Sequence, residues 1–187
     1  MKDIIDNYLS ALTDTINNIN VDEIEKCAEV LLKAYDSDNN IFICGNGGSS
    51  LTASHFACDI NKGVSFGRSK RFKVIPLSSC VSTISAYAND ISYDVSFVEQ
   101  LKNFFTEGDV VIGISGSGNS INVINALEYA NKNGGVTVGF TGYSGGVLKD
   151  VAQYSINASV DDMQISEDMH MVFVHLMMKI FSQVLSD

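Results

Sequence analysis

Short apolar runs punctuate this chain, and stretches of helical spacing lie between most of them. The runs fall at 40–45, 73–77, 109–115, 136–141 and 154–158, each of strand length. Ile41-Phe-Ile43 and Val110-Val-Ile112 are apolar without alternation, the pattern of a strand covered on both faces. Residues 121–130 repeat apolar side chains at helical spacing, and so does the stretch through Leu51, Ala53, Phe56, Ala57 and Ile60. This alternation predicts an α/β fold, a parallel sheet with helices on both faces. Ahead of the first run, residues 3–36 carry two amphipathic patterns. Ile4, Ile5, Tyr8, Leu9, Leu12 and Ile16 mark the first; Val21, Ile24, Cys27, Ala28, Leu31, Leu32 and Tyr35 mark the second. Asn17-Asn-Ile-Asn20 separates them, and Asn20 is placed to cap the second helix. Residues 1–37 are expected to form a helical extension with no core of its own, packed on the sheet or on another subunit. With no internal repeat or linker, residues 1–187 read as a single domain.

Composition narrows the partners. The net charge of −10 argues against a nucleic-acid backbone and against an anionic membrane surface. The late apolar stretch from Met169 is broken by His170, His175 and Lys179 and is too short to span a bilayer. The first seven residues hold no apolar signal core, so no secretory leader is expected. Cys27, Cys44, Cys58 and Cys80 show no paired spacing, which predicts reduced thiols and a cytoplasmic location.

The chemistry gathers where apolar runs end. Ser115-Gly-Ser-Gly-Asn-Ser120 joins a strand pattern to a helix pattern, and Gly45-Asn-Gly-Gly-Ser-Ser50 does the same after the first run. Such a junction offers free backbone N–H groups, the positive end of a helix dipole and, through glycine, close backbone approach to an anion. Two such loops at the carboxyl ends of parallel strands point to a phosphorylated small molecule. The first loop fits neither the dinucleotide fingerprint nor a P-loop, having Ser50 at the sixth position and no Lys-Ser/Thr. Gly142-Tyr-Ser144-Gly-Gly146 matches the pattern of a hydrolase nucleophile elbow, although a glycine-rich turn after a strand needs no nucleophile. Lys62, Arg68, Lys70, Arg71 and Lys73 form a basic segment, readable as a solvated loop or as a rim that steers phosphate. His55 and Asp59 are four apart, on one helix face. Later, Asp168 stacks nearly in line with His175, Glu167 lies about 80° round and His170 about 140° round. His55, Asp59, His175 and one of these acids make a sensible ligand set for zinc or a similar divalent ion.

Taken together, the segments 43–57, Ala88-Asn-Asp90, 113–124, Phe140-Thr-Gly142 with Gly145-Gly146, and 167–175 resemble the bacterial phosphoheptose isomerases of the sugar-isomerase (SIS) group. The resemblance runs in order over nearly the whole chain. It implies a flavodoxin-like αβα sandwich with a five-stranded parallel sheet, assembled as a homotetramer with active sites between subunits. It implies interconversion of sedoheptulose 7-phosphate and a glycero-manno-heptose 7-phosphate, with a non-catalytic sugar-phosphate-binding relative or an isomerase of another sugar phosphate as alternatives. Phosphate would rest on Ser49, Ser115, Ser117 and Ser120. Asn46, Gly47, Gly48, Asn89, Asp90, Gly116 and Glu167 would complete the substrate site. Asp59 and His175 would move the proton through an enediol, and zinc would sit on His55, Asp59, Glu167 and His175. The family usually has glutamate at 59, glutamine at 167, aspartate at 164 and arginine at 63, where this chain has Asp59, Glu167, Gln164 and Gly63.

Overall fold

The computed structural model describes residues 1–186. Helices α1 (Lys2–Asn17) and α2 (Val21–Asp36) precede strand β1 (Asn40–Gly45). Helix α3 (Gly48–Cys58) runs into a π-helical turn, Asp59–Val64, before β2 (Lys73–Pro76). Then come α4 (Val81–Asp90), a 3-10 turn at Tyr93–Val95, α5 (Val98–Phe104), β3 (Val110–Ser115), α6 (Ile121–Lys132), β4 (Val136–Gly142), α7 (Gly146–Val151), β5 (Tyr154–Ala158) and α8 (Met163–Val184). All five apolar runs are strands, to within a residue or so at their ends.

The strands form one parallel sheet in the order β2-β1-β3-β4-β5, with Ile43 opposite Ile112 and Ile112 opposite Val138. The central strands β1 and β3 contribute to two cores because successive side chains point to opposite faces. Ile41, Ile43, Val110, Ile112, Ile114, Val138, Phe140 and Ile156 face α2, α3 and α8. Phe42, Cys44 and Val111 face α5, α6 and α7. On that second face, the neighbours Gly113 and Gly139 lack side chains where helices press closest. A Cβ on Gly113 would lie 2.7 Å from Val123 and 2.8 Å from Leu127. The product is a three-layer αβα sandwich.

The two N-terminal helices differ in kind. Helix α2, capped by the Asn20 side chain at Asp22 and Glu23, buries Ile24, Cys27, Ala28, Leu31 and Ala34. It is a full member of one layer, not an appendage. Helix α1 buries none of its residues completely and rests on the layer through Tyr8, Ala11 and Leu12. Tyr8 Oη donates to Asp168 Oδ2 on α8 at 2.6 Å, and that carboxylate pushes the Tyr8 phenol up to about 12. No helix among the described residues is long and apolar enough to cross a membrane.

At the amino edge of the sheet, the fully buried Asp109 accepts from Asn40 N (2.8 Å) and Asn40 Nδ2 (3.2 Å). It also accepts from Thr106 N (2.9 Å) and Thr106 Oγ1 (3.1 Å), so one carboxylate ties the starts of β1 and β3. The basic segment lies just ahead of β2, at this same edge. Lys70 donates to the Asp36 carbonyl, Lys73 to Asp38, and Arg68 to the Leu185 carbonyl, which places cations at the carboxyl ends of α2 and α8. A role in steering phosphate does not fit that position, since the glycine–serine loops lie at the opposite edge.

Candidate active site

The strand order reverses between β1 and β3, and both glycine–serine loops leave the sheet there, at the carboxyl ends of these adjacent strands. After β3, Ser115 Oγ stands 3.0 Å from Ser120 Oγ and 3.5 Å from Ser117 Oγ, so the three hydroxyls share one small volume. Ser120 is the N-cap residue of α6, yet its side chain caps no backbone N–H. Gly47 likewise precedes α3 without a side-chain cap, at φ 53°, and Ser49 is buried in the first turn. Of the first-turn amides of these two helices only Val123 N has a side-chain acceptor, Asn122 Oδ1 at 3.1 Å, and the others stand beside clustered hydroxyls, a geometry suited to an anion seat.

The loop after β4 buttresses this seat. Gly118 (φ 69°) packs directly on Gly145, where any side chain would collide with the Gly145 carbonyl. A Cβ on Gly146 would come within 2.6 Å of the Ser117 carbonyl oxygen. Leu148 N donates to Gly118 O at 2.8 Å and Val147 N to Asn119 Oδ1 at 3.2 Å. The elbow-like glycines of 142–146 therefore serve close backbone packing. Ser144 is exposed and hydrogen-bonds to no histidine among the described residues, so the hydrolase pattern has no triad behind it.

Helix α3 leads from the anion seat to the ionisable cluster. It runs beside α8 in the same direction: a Cβ on Gly48 would lie 3.2 Å from Glu167 Oε1, and the rings of His55 and His175 are 5.2 Å apart. Beyond them Gly63 lies against α8, where a Cβ would meet Met178 at 2.6 Å. His55 Nε2 is 3.2 Å from His175 Nε2 and 3.2 Å from Asp59 Oδ2. His55 is 45% exposed and Asp59 18% exposed in their side chains, so the cluster opens to solvent.

These three side chains fit a divalent ion. A tetrahedral zinc with bonds of about 2.0–2.1 Å sets ligand atoms about 3.3–3.4 Å apart. Both distances from His55 are close to that, and the three donor atoms all lie within 4.8 Å of one another. Glu167 is not part of this close group; its carboxylate stands by Gly48, at the start of α3. Asn89 and Asp90 end α4 and are exposed, with Asn89 Nδ2 donating to Asp90 Oδ1 at 2.7 Å. Asp90 borders an open hollow with Ser82, Thr83, Ala86, Tyr87 and Ile91, apart from the histidine cluster.

His170, the third histidine, belongs to the core. It packs on Phe140 and Phe173, burial depresses its pKa to about 4, and its Nε2 has no hydrogen-bond partner. Among the cysteines, burial pushes the Cys27 and Cys44 thiols up to about 12, while Cys58 and Cys80 are exposed; all four are free. The Cys80 thiol is held below its usual range by hydrogen bonds from Thr83 and Ser82.

Sequence reasoning missed Asn122 and Tyr93. Asn122 is 2% exposed in the first turn of α6, and its side-chain amide pairs with that of Asn46. The signal was an asparagine just inside the helix that follows the serine loop, a place where amides commonly make local hydrogen bonds. The π-helical turn that starts at Asp59 also went unseen, since nothing in the apolar spacing distinguishes it from helix.

Comparison with known proteins agrees with this geometry. The SIS domain family model matches residues 6–142. A probable phosphoheptose isomerase of Thermoplasma acidophilum is 40% identical over 85% of this chain and 87% of its own length. The phosphoheptose isomerase of Aliarcobacter butzleri is 35% identical over 87% of this chain and 86% of its own. The structure of phosphoheptose isomerase from Neisseria gonorrhoeae superposes with a TM-score of 0.88 at 26% identity, covering 97% of this chain and 98% of that one.

Proposed function

This chain belongs to the phosphoheptose isomerases of the SIS-domain family, and we propose that it interconverts sedoheptulose 7-phosphate and D-glycero-D-manno-heptose 7-phosphate. One observation carries the reading. Helix α3 begins in an anion seat and ends at an acid–base cluster, with Gly48 and His55 seven residues and so about 10 Å apart along its axis. A seven-carbon sugar with phosphate on one end and a carbonyl near the other suits two such stations.

The phosphate would bind to the first-turn amides of α3 and α6 and to Ser49, Ser115, Ser117 and Ser120, which fixes the far end of the chain. Asn46, Gly47, Gly48 and Gly116 shape that seat, and Asn89, Asp90 and Glu167 would meet sugar hydroxyls. At the reacting end, the Asp59 carboxylate takes the C1 proton of the ketose and returns it at C2. His175 serves the two oxygens, so that O2 gains a proton as O1 loses one. General acid–base transfer of this kind contributes about 10²–10⁴-fold. Without an ion His55 Nε2 orients Asp59 through their 3.2 Å contact, and with zinc bound the same nitrogen would be a ligand.

Zinc held by His55, Asp59 and His175 would polarise the sugar oxygens, with Glu167 standing apart from that group at the start of α3. A carboxylate can hold an ion through one oxygen and keep the other for a proton. The proposed assembly is a homotetramer with sites between subunits. In support, α4 buries none of its residues, and Leu51, one helical turn before His55 on α3, is 72% exposed. Four free thiols suit a reducing cytoplasm.

Calorimetry with sedoheptulose 7-phosphate tests both stations. Ser117→Ala with Ser120→Ala should weaken binding, whereas His175→Ala should bind and fail to turn over. Unchanged affinity in the serine variant would sink the anion seat, and retained turnover in His175→Ala would end its role.

A further inference from the structure

Asn46, Asn122 and Tyr93 form a closed set of hydrogen bonds between three separate segments. Asn46 Nδ2 donates to Asn122 Oδ1 at 2.8 Å, and Asn122 Nδ2 donates back to Asn46 Oδ1 at 2.9 Å. Tyr93 Oη adds a third bond, donating to the same Asn46 Oδ1 at 2.7 Å. Asn122 Nδ2 also lies 3.4 Å from the buried Ser96 Oγ, and Asn125 Nδ2 donates to the Asp94 carbonyl at 3.0 Å, so the Tyr93–Val95 turn and the serine that follows it are each bound to α6.

Counting valences shows what the set does. A side-chain amide oxygen accepts two hydrogen bonds, and its nitrogen donates two. Both acceptor sites of Asn46 are taken, and one of its two N–H groups is spent. Asn46 is left as a donor with a fixed orientation and no free acceptor. The clasp also joins the loop after β1 to the first turn of the helix after β3, so the two halves of the anion seat cannot drift apart independently.

We propose that Asn122 and Tyr93 are positioning residues for the phosphosugar site: they lock Asn46 as a one-way donor and hold the two anion-binding loops in register. The proposal rests on the phosphosugar reading above. It assigns these residues no contact with substrate and no part in proton transfer, because the His55–Asp59–His175 cluster involves neither.

The experiment measures binding of sedoheptulose 7-phosphate by calorimetry, and KM and kcat for its turnover, in wild type, Asn46→Ala, Asn122→Ala, the Asn46→Ala/Asn122→Ala double variant and Tyr93→Phe. Asn122→Ala should raise Kd and KM by about tenfold, and Tyr93→Phe by about threefold, with kcat within about twofold of wild type. The double variant should bind no more weakly than the weaker single variant, because Asn122 acts through Asn46. Effects that multiply in the double variant, or an unchanged Kd in Tyr93→Phe, would overturn the proposal. Tyr93 is 45% exposed, so Tyr93→Phe remains decisive even if the buried amide proves necessary for folding. A wild type that binds no sugar phosphate would overturn the functional reading first, which separates that failure from this one.

Discussion

Replacing His170 with phenylalanine should make the protein more resistant to mild acid. The imidazole is 1% exposed, sits between Phe140 and Phe173, and leaves Nε2 without a partner, so protonation must place a charge in an apolar core. Burial lowers its pKa from 6.5 to about 4, against the smaller opposing effect of a backbone hydrogen bond at Thr141. The sign follows from linkage: above pH 6.5 the ring is neutral whether folded or unfolded and costs nothing. As pH falls from 6.5 towards 4, the unfolded chain takes up a proton that the native state refuses, and stability is lost. With those two values, the loss is about 2 kcal/mol at pH 5 and levels off near 3 kcal/mol below pH 4. Urea unfolding of wild type and His170→Phe, at about pH 7.5 and about pH 5 and at one fixed protein concentration, isolates the effect from the other titrating groups. The stability difference between the two proteins should shift by about 2 kcal/mol in favour of the variant on going to the lower pH. A difference that stays constant across that range would mean His170 is protonated in the native core, and the account of its burial would be wrong.

Two substitutions test the frame of the site. Gly118→Ala forces a side chain into the Gly145 carbonyl at a left-handed backbone position, so sugar-phosphate affinity should fall at least about tenfold with the far-UV circular dichroism unchanged. Gly47→Ala, at a positive φ with ψ −122° but with no atom within 4 Å of the new methyl, should cost only backbone strain of about 1–3 kcal/mol in thermal unfolding. Asp109→Ala leaves the amides of Asn40 and Thr106 without their acceptor, and chemical denaturation should report a loss of about 3 kcal/mol. A loss under about 1 kcal/mol would show that water replaces the carboxylate at that edge.

The sheet was legible because its central strands are covered on both faces, which leaves runs such as Val110-Val-Ile112 with no polar member. The same pattern could not distinguish the roles of α1 and α2. Both are amphipathic, but only α2 has small residues, Cys27, Ala28 and Ala34, where it meets the sheet, whereas α1 leaves Ile4 and Leu9 largely exposed. At the site, the His55–Asp59 spacing and the two serine–glycine loops were readable locally. Pairing of His55 with His175 across 120 positions depends on α3 and α8 running side by side, which spacing along one helix cannot reveal. The close group also left out Glu167, because eight residues of helix separate it from His175, about 12 Å along the axis. The Asn46–Asn122 clasp was invisible for a similar reason: it joins residues 76 positions apart, and asparagine in a loop is ordinary.

The most direct measurement follows sedoheptulose 7-phosphate by NMR with the purified protein, before and after chelator and after zinc is restored. The account predicts that the aldoheptose 7-phosphate appears, that chelator stops it, and that zinc brings it back. Tight binding of the sugar phosphate without any aldose, at every metal content, would contradict it.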